Sequence, residues 1–158
     1  MRRVLTLLLA FVLVTAVAAP GASARTQKLT KAENTWAVPM VNLMKSLSGR
    51  VGAIGKQVSD PAITTKGSKA QAKLAVTLAN VIVCGSKITK NGAPPTARLR
   101  PFYSALKSAC SYYTTGSHQL AQGIGKLDPK LITKSVTTIQ HGSTLLGLAR
   151  DRMVALAK

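Results

Sequence analysis

The sequence predicts an all-α protein: an up-down antiparallel four-helix bundle with one disulfide bond, preceded by a cleavable signal peptide. Apolar residues after position 30 recur every three or four residues and rarely alternate, which indicates helices and not strands. Capping residues, prolines and glycines divide this pattern into four stretches, and the short or medium loops between them favour antiparallel neighbours. With 46% hydrophobic residues, the chain can form a core.

The chain begins with the three parts of a secretory signal. Arg2 and Arg3 form a basic start, residues 4–19 are apolar apart from two threonines, and Ala22-Ser23-Ala24 offers a cleavage site. Sixteen residues span about 24 Å as a helix, less than the ~30 Å of a bilayer core, so we expect cleavage and not anchoring. Residues 25–158 are then one secreted domain of 134 residues, without a later segment able to span a membrane.

Cys84 and Cys110 are the only cysteines of the chain. Two thiols in an oxidising compartment usually pair, and their separation is not that of a Cys-x-x-Cys redox or metal motif. We therefore predict a structural disulfide. The loop that it closes has 27 residues, for which the chain-entropy account gives about 3–4 kcal/mol of stabilisation.

The first helix is predicted over residues 31–58. Thr30 and Glu33 have the spacing of a capping box, in which each side chain accepts a hydrogen bond from the backbone N–H of the other residue. Asp60-Pro61 ends the helix. The apolar residues fall on one stripe: Trp36, Met40, Leu43, Leu47, Val51, Ile54 and Val58.

Three glycines, Gly49, Gly52 and Gly55, lie within this first helix. They lack the G-x-G-x-x-G spacing, the preceding strand and the lysine of a phosphate-binding loop, so nucleotide binding is not expected. Two interpretations remain open: a close approach of a neighbouring backbone, or a local weak point in the helix.

The second helix is predicted over residues 68–90, with Ser68 as its N-cap and Asn91-Gly92 as its end. One face carries Leu74, Leu78, Val81, Ile82 and Ile88. Val76 and Val83 point nearly the opposite way, so we expect this helix to be covered on two sides.

The third helix is predicted over residues 101–124 and the fourth over 129–157. A start at Pro101 puts Cys110 at a depth in the third helix that can match Cys84 in the second, whereas a start at Thr96 puts it too deep. Asp128-Pro129 supplies the N-cap and first residue of the fourth helix. The two apolar stripes are Phe102, Leu106, Cys110, Tyr113, Leu120 and Ile124, then Ile132, Val136, Ile139, Leu146, Met153 and Leu156.

The four carboxylates of the chain argue against an enzyme. Glu33, Asp60 and Asp128 lie at helix ends, where capping explains them, and Asp151 stands between two arginines. A carboxylate-based hydrolase needs a converging pair, and a Ser/His/Asp triad needs an acid that the chain does not offer. We therefore expect no catalytic residues and no metal site.

Haem is the one cofactor that the sequence leaves open, although our leading expectation is that none is bound. Tyr113 and His118 cluster on the third helix and His141 lies on the fourth, and Tyr or His can hold haem iron. The chain has no Cys-x-x-Cys-His attachment motif, and the two histidines differ by about 9 Å in axial position. The alternative function is thus an extracellular carrier of haem or another apolar ligand in the bundle interior.

Positive charge is the most pronounced feature of the composition. Lys and Arg number 22 against 4 acids, for a formal charge of +18, and loss of the signal leaves +16. In an up-down bundle, the starts of the second and fourth helices and the end of the third share one end, while Arg98 and Arg100 gather at the other. The candidate anion-binding residues at that shared end are Lys66, Lys69, Lys73, Lys126 and Lys130.

The leading hypothesis is therefore a secreted, non-enzymatic bundle that associates electrostatically with an anionic surface or polymer. A cell-wall polymer, anionic lipid or extracellular nucleic acid would each be attracted by this charge. Sequence-specific nucleic-acid recognition is not expected, because no recognition motif or interleaved aromatic set is present. The competing interpretation is a solvated surface that only keeps the exported protein soluble.

Overall fold

The computed structural model describes residues 28–157, and the predicted signal segment lies outside them. This part of the chain forms helices and no strand, as the sequence predicts, and the helices pack as a bundle. The helices are α1 (Lys31–Val58), α2 (Lys69–Ile82), α3 (Cys84–Asn91), α4 (Arg100–Lys126) and α5 (Pro129–Ala157). Short 3-10 turns at Pro61–Thr64 and Ala97–Leu99 precede α2 and α4.

The helix starts follow the predicted caps. The Thr30 hydroxyl accepts from the backbone N–H of Glu33 at 3.2 Å, and the Glu33 carboxylate accepts from the N–H of Thr30 at 2.9 Å, which completes the capping box. Ser68 caps α2, and Asp128 accepts two backbone N–H groups in the first turn of α5. Asp60 follows the end of α1 and is the N-cap of the 3-10 turn at Pro61–Thr64.

The predicted second helix is interrupted at Val83, which separates α2 from α3. Two side-chain hydroxyls donate to backbone carbonyls at this point. Ser86 donates to the carbonyl of Val83, which also accepts the backbone N–H of Lys87, and Thr114 of α4 donates to the carbonyl of Ile82. The break directly precedes Cys84, whose side chain is bonded to α4. The predicted second helix is therefore present as α2 and α3, with one residue, Val83, between them.

The outer face of α2 is exposed, which corrects the expectation of a helix covered on two sides. Val76 is 63% exposed and Val83 is 42% exposed, whereas Leu74, Leu78 and Val81 on the inner face are buried. Among the described residues, Lys69–Asn91 has the length and composition of a membrane-crossing helix, contrary to the expectation that no segment after the signal is long and apolar enough to span a membrane. In the fold, the inner face of this stretch is part of the bundle core.

The disulfide joins Cys84, at the start of α3, to Cys110, near the middle of α4. Both side chains are buried, and their Cα atoms are 5.7 Å apart, within the usual range for a disulfide. The predicted pairing is confirmed. The disulfide holds the start of α3 against α4, one residue after Val83.

The core is built from the predicted stripes together with several small residues. Trp36 packs edge-on against Phe102, with ring centroids 6.1 Å apart, and its indole N–H donates to the carbonyl of Gly92. Tyr113 and Phe102 are among the largest fully buried side chains. α1 is thereby attached at its first turns to the end of α3 and to α4.

α4 and α5 run antiparallel and pack with their backbones unusually close. An added Cβ at Gly123 would lie 2.9 Å from the Ile132 side chain, and one at Gly142 would lie 2.7 Å from the Tyr113 ring. At Gly49, Gly52 and Gly55 of α1 an added Cβ would meet no atom within 4 Å. Close backbone approach, one of the two interpretations of the α1 glycines, is therefore wrong for α1, and it occurs instead between α4 and α5.

Candidate anion-binding surface

The five candidate lysines lie in two chain segments. Lys66, Lys69 and Lys73 occupy the loop before α2 and its first turns, and Lys126 and Lys130 flank the turn between α4 and α5. Every one of these side chains is exposed. We refer to Lys66, Lys69, Lys73, Lys126 and Lys130 together as the lysine end.

Contacts between the two segments place them at the same end of the bundle. A recess of about 280 Å³ is lined on one side by Ile63 and Thr64 and on the other by the α4–α5 turn, including Leu127 and Pro129. The side-chain amide of Gln71 donates to the carbonyl of Ile63 at 2.9 Å, which fixes the start of α2 to the same 3-10 turn. The segment before α2 and the turn between α4 and α5 therefore lie against one another.

The turn that carries Lys126 and Lys130 is tight. Leu127 adopts a left-handed φ of 53°, and the backbone N–H of Asp128 donates to the carbonyl of Gly123 at 2.8 Å. The chain thus leaves α4 and enters α5 within two residues. The two lysines on either side of the turn are therefore held near one another by backbone geometry.

Local carboxylates do not neutralise the lysine end. Asp60 and Asp128 are the acids nearest to it in sequence, and each accepts hydrogen bonds from backbone N–H groups of its own cap. The two ion pairs found in residues 28–157 both use arginine and not lysine.

The exposed face of α2 extends this surface. Val76 and Val83 lie on it as exposed apolar side chains, and Lys87 and Lys90 follow in α3 and are exposed as well. The face is therefore apolar along its middle and positively charged toward both ends.

Arg98 at the opposite end of the bundle is not a solvated cation, contrary to the expected cluster of Arg98 and Arg100. Its guanidinium donates to both carboxylate oxygens of Glu33, at 2.8 Å and 3.0 Å. The Thr96 hydroxyl donates to the same carboxylate at 2.6 Å. Arg100 remains exposed.

Glu33 at this opposite end makes more contacts than its sequence position indicates. It is 2% exposed, although it is a carboxylate. The hydrogen bond from Thr96, the backbone N–H of Thr30 and the guanidinium of Arg98 hold its pKa at about 2, while burial acts in the opposite direction. A carboxylate three residues after an N-cap signalled the capping box, but nothing in the local sequence signalled partners more than 60 residues away.

The three residues of the haem alternative do not share one environment. Tyr113 is buried in the core, and its hydroxyl donates to the Ser143 hydroxyl at 3.3 Å. Burial raises the pKa of Tyr113. His118 and His141 are exposed, and the His141 ring contacts Tyr112, with centroids 5.9 Å apart. Of the two residues that the haem interpretation would place in the bundle interior, Tyr113 is buried and His141 is exposed.

No group of three or more His, Cys, Asp or Glu side chains in the described part of the chain has the arrangement to hold a metal ion. The remaining acid, Asp151, pairs with its neighbour Arg150 at 3.0 Å, with both side chains exposed.

No family model, curated protein or solved structure matches the chain.

Proposed function

We propose that this protein is a secreted, non-enzymatic helical bundle that associates electrostatically with an anionic polymer or surface through its lysine end. The observation that carries the proposal is the convergence of five exposed lysines from two distant chain segments at one end of the bundle, without an ion-pairing carboxylate in the described residues. Lysines are compact, hydrated point charges that suit repeated phosphate groups without base recognition.

Two further inferences belong to this proposal. The first 24 residues direct export and are removed, and the disulfide between buried Cys84 and Cys110 supports an oxidising compartment outside the cytoplasm. The helices follow an up-down antiparallel order. Supporting contacts pair the start of α1 with the end of α3, Cys84 with the middle of α4, and Gly123 with the start of α5.

The charge distribution favours attachment over solubilisation alone. The two ion-paired acids, Glu33 and Asp151, are paired with arginines away from the lysine end. The two acids near that end are capping residues and leave the lysine ammonium groups unpaired. When a polyanion contacts the lysine end, lysine ammonium groups replace cations condensed on its phosphates, and the release of those cations is entropically favourable.

The test compares two variants of equal net charge. One replaces four lysines of the lysine end with glutamine (Lys66→Gln, Lys69→Gln, Lys126→Gln and Lys130→Gln). The matched control replaces four exposed lysines elsewhere (Lys28→Gln, Lys31→Gln, Lys90→Gln and Lys107→Gln). Binding to duplex DNA and to vesicles with anionic lipid is measured over a series of salt concentrations.

On duplex DNA, the slope of log affinity against log salt should become shallower by about three to four in the lysine-end variant, since each phosphate contact contributes about 0.9. The control should retain most of the wild-type slope. Equal losses in the two variants would show that only net charge matters and would contradict the proposed surface. If the affinity of the wild-type protein did not change with salt concentration, electrostatic association would be contradicted altogether.

A further inference from the structure

A second surface feature is a pocket on the side of the bundle, between α1 and α5. Its volume is about 420 Å³, which lies in the range of small-molecule sites. Met44, Val51 and Leu146 form apolar walls, and the buried ring of Tyr113 lies at the floor. The pocket is distant in sequence from the lysine end, and none of the five candidate lysines lines it.

Two glycines on facing helices create much of this space. Gly49 of α1 and Gly147 of α5 both line the pocket, and an added Cβ at either position would meet no atom within 4 Å. Gly52 and Gly55 of α1 are equally free of neighbours, so what distinguishes Gly49 and Gly147 is their position on the two walls of the pocket. Elsewhere in α5, by contrast, Gly142 is required by the Tyr113 ring at 2.7 Å.

Two cations stand at the rim. Lys45 of α1 and Arg150 of α5 are exposed, and both line this pocket as well as a neighbouring apolar recess between the same two helices. Arg150 donates to the carboxylate of Asp151, but that pair is exposed and is therefore weakly held. A rim with two cations above apolar walls is complementary to a ligand with one anionic group and an apolar body.

We propose that this pocket is a binding site for a compact amphiphile, an organic carboxylate, sulfonate or monophosphate with an apolar body. The anionic group lies between Lys45 and Arg150, and the body occupies the space above Tyr113 that Gly49 and Gly147 leave open. The Ser48 hydroxyl on the α1 wall offers a polar contact. This site is independent of polyanion attachment, because it uses different residues on a different face.

The test uses the oxidised, signal-free protein and a defined pair of fluorescent compounds. One is 8-anilinonaphthalene-1-sulfonate, which is anionic, and the other is the uncharged N-phenyl-1-naphthylamine. Gly147→Leu and Gly49→Leu fill the pocket, and Gly52→Leu and Gly55→Leu are the matched controls, since an added Cβ at those two positions also meets no atom within 4 Å. Because all four changes replace a helical glycine by a better helix former, melting temperatures should be unchanged or higher.

The proposal predicts one sulfonate bound per protein, an affinity at least ten times weaker in each pocket variant, and no loss in the controls. The double variant Lys45→Gln/Arg150→Gln should weaken sulfonate binding at least fivefold and leave the uncharged compound unaffected. Asp151→Asn should tighten sulfonate binding, because it releases Arg150. Wild-type affinity in both pocket variants, equal loss in the controls, or several weak sites per protein would overturn the proposal.

Discussion

Two hydrogen bonds, of 2.8 Å and 3.0 Å, join the guanidinium of Arg98 to the two carboxylate oxygens of Glu33, 65 residues earlier in the chain. The same carboxylate closes the capping box of α1 and accepts the Thr96 hydroxyl. One buried side chain thus connects the start of α1 with the segment that leads into α4. The fold should depend on its charge.

Glu33→Gln should therefore flatten the acid dependence of stability. In the folded protein the pKa of Glu33 is lowered from 4.5 to about 2, so the ionised carboxylate stabilises the fold above pH 4.5. That contribution is lost as the pH falls from there to about 2. Urea unfolding at a series of pH values should show the wild-type protein more stable than the variant at neutral pH and the difference shrinking below pH 4.5.

Asp151→Asn is the control for this experiment. Asp151 also pairs with an arginine, but its side chain is 66% exposed, and exposed pairs contribute little. Its removal should leave the acid limb of the stability curve as in the wild-type protein. A difference between wild type and Glu33→Gln that stays constant from about pH 6 to about pH 2 would contradict the role assigned to Glu33.

Removal of the disulfide should destabilise the protein by about 3–4 kcal/mol, because the unfolded chain gains the entropy of an open 27-residue loop. The Cys84→Ala/Cys110→Ala variant tests this by denaturant unfolding. The buried position of both sulfurs adds a small loss of packing. A variant as stable as the oxidised wild-type protein would show that the bond does not constrain the fold.

Gly142→Ala and Gly123→Ala should each destabilise the protein by about 1–3 kcal/mol, since the new methyl group meets a packed neighbour and one helix has to move. Gly52→Ala should instead stabilise it, by up to about 1 kcal/mol, because its methyl group meets no atom within 4 Å and alanine favours the helix. Thermal unfolding shows which variants are destabilised and which is stabilised. Stabilisation by Gly142→Ala would contradict the close contact with Tyr113.

The two faces of α2 should respond differently to truncation. Leu78→Ala removes a buried side chain and should cost about 2–5 kcal/mol. Val76→Ala, on the exposed face, should change stability by less than about 0.5 kcal/mol. Denaturant unfolding of both variants checks this, and a large loss for Val76→Ala would show that the outer face is covered.

The sequence predicted those features that depend on neighbouring residues. Thr30, Ser68 and Asp128 were recognisable as caps, because a capping side chain acts on backbone N–H groups two or three residues away. The inner faces of the helices followed from the spacing of their apolar residues. The pairing of Cys84 with Cys110 required no geometry, since the chain has no other cysteine.

Features that depend on tertiary contact were not predictable in the same way. At the interruption beside Val83, the carbonyl of Ile82 accepts a hydroxyl from Thr114 of another helix, a partner 32 residues away. The glycines illustrate the same limit: Gly142 is required by Tyr113, 29 positions earlier, and no local pattern distinguishes it from Gly52. Likewise, the pocket rim pairs Lys45 with Arg150, and nothing in either segment indicates that they face one another.

The close contact of α4 and α5 has a consequence for the order in which the chain folds. Their interface joins residues near in sequence through a two-residue turn, so this hairpin requires less loop closure than the attachment of α1. We expect hydrogen exchange to find the slowest amides in the facing stretches of this hairpin and earlier opening along α1. Slowest exchange in α1 would contradict this expectation. If α1 opens first, the interface between α1 and α5 separates transiently, and a small ligand could enter there without unfolding of the rest of the bundle.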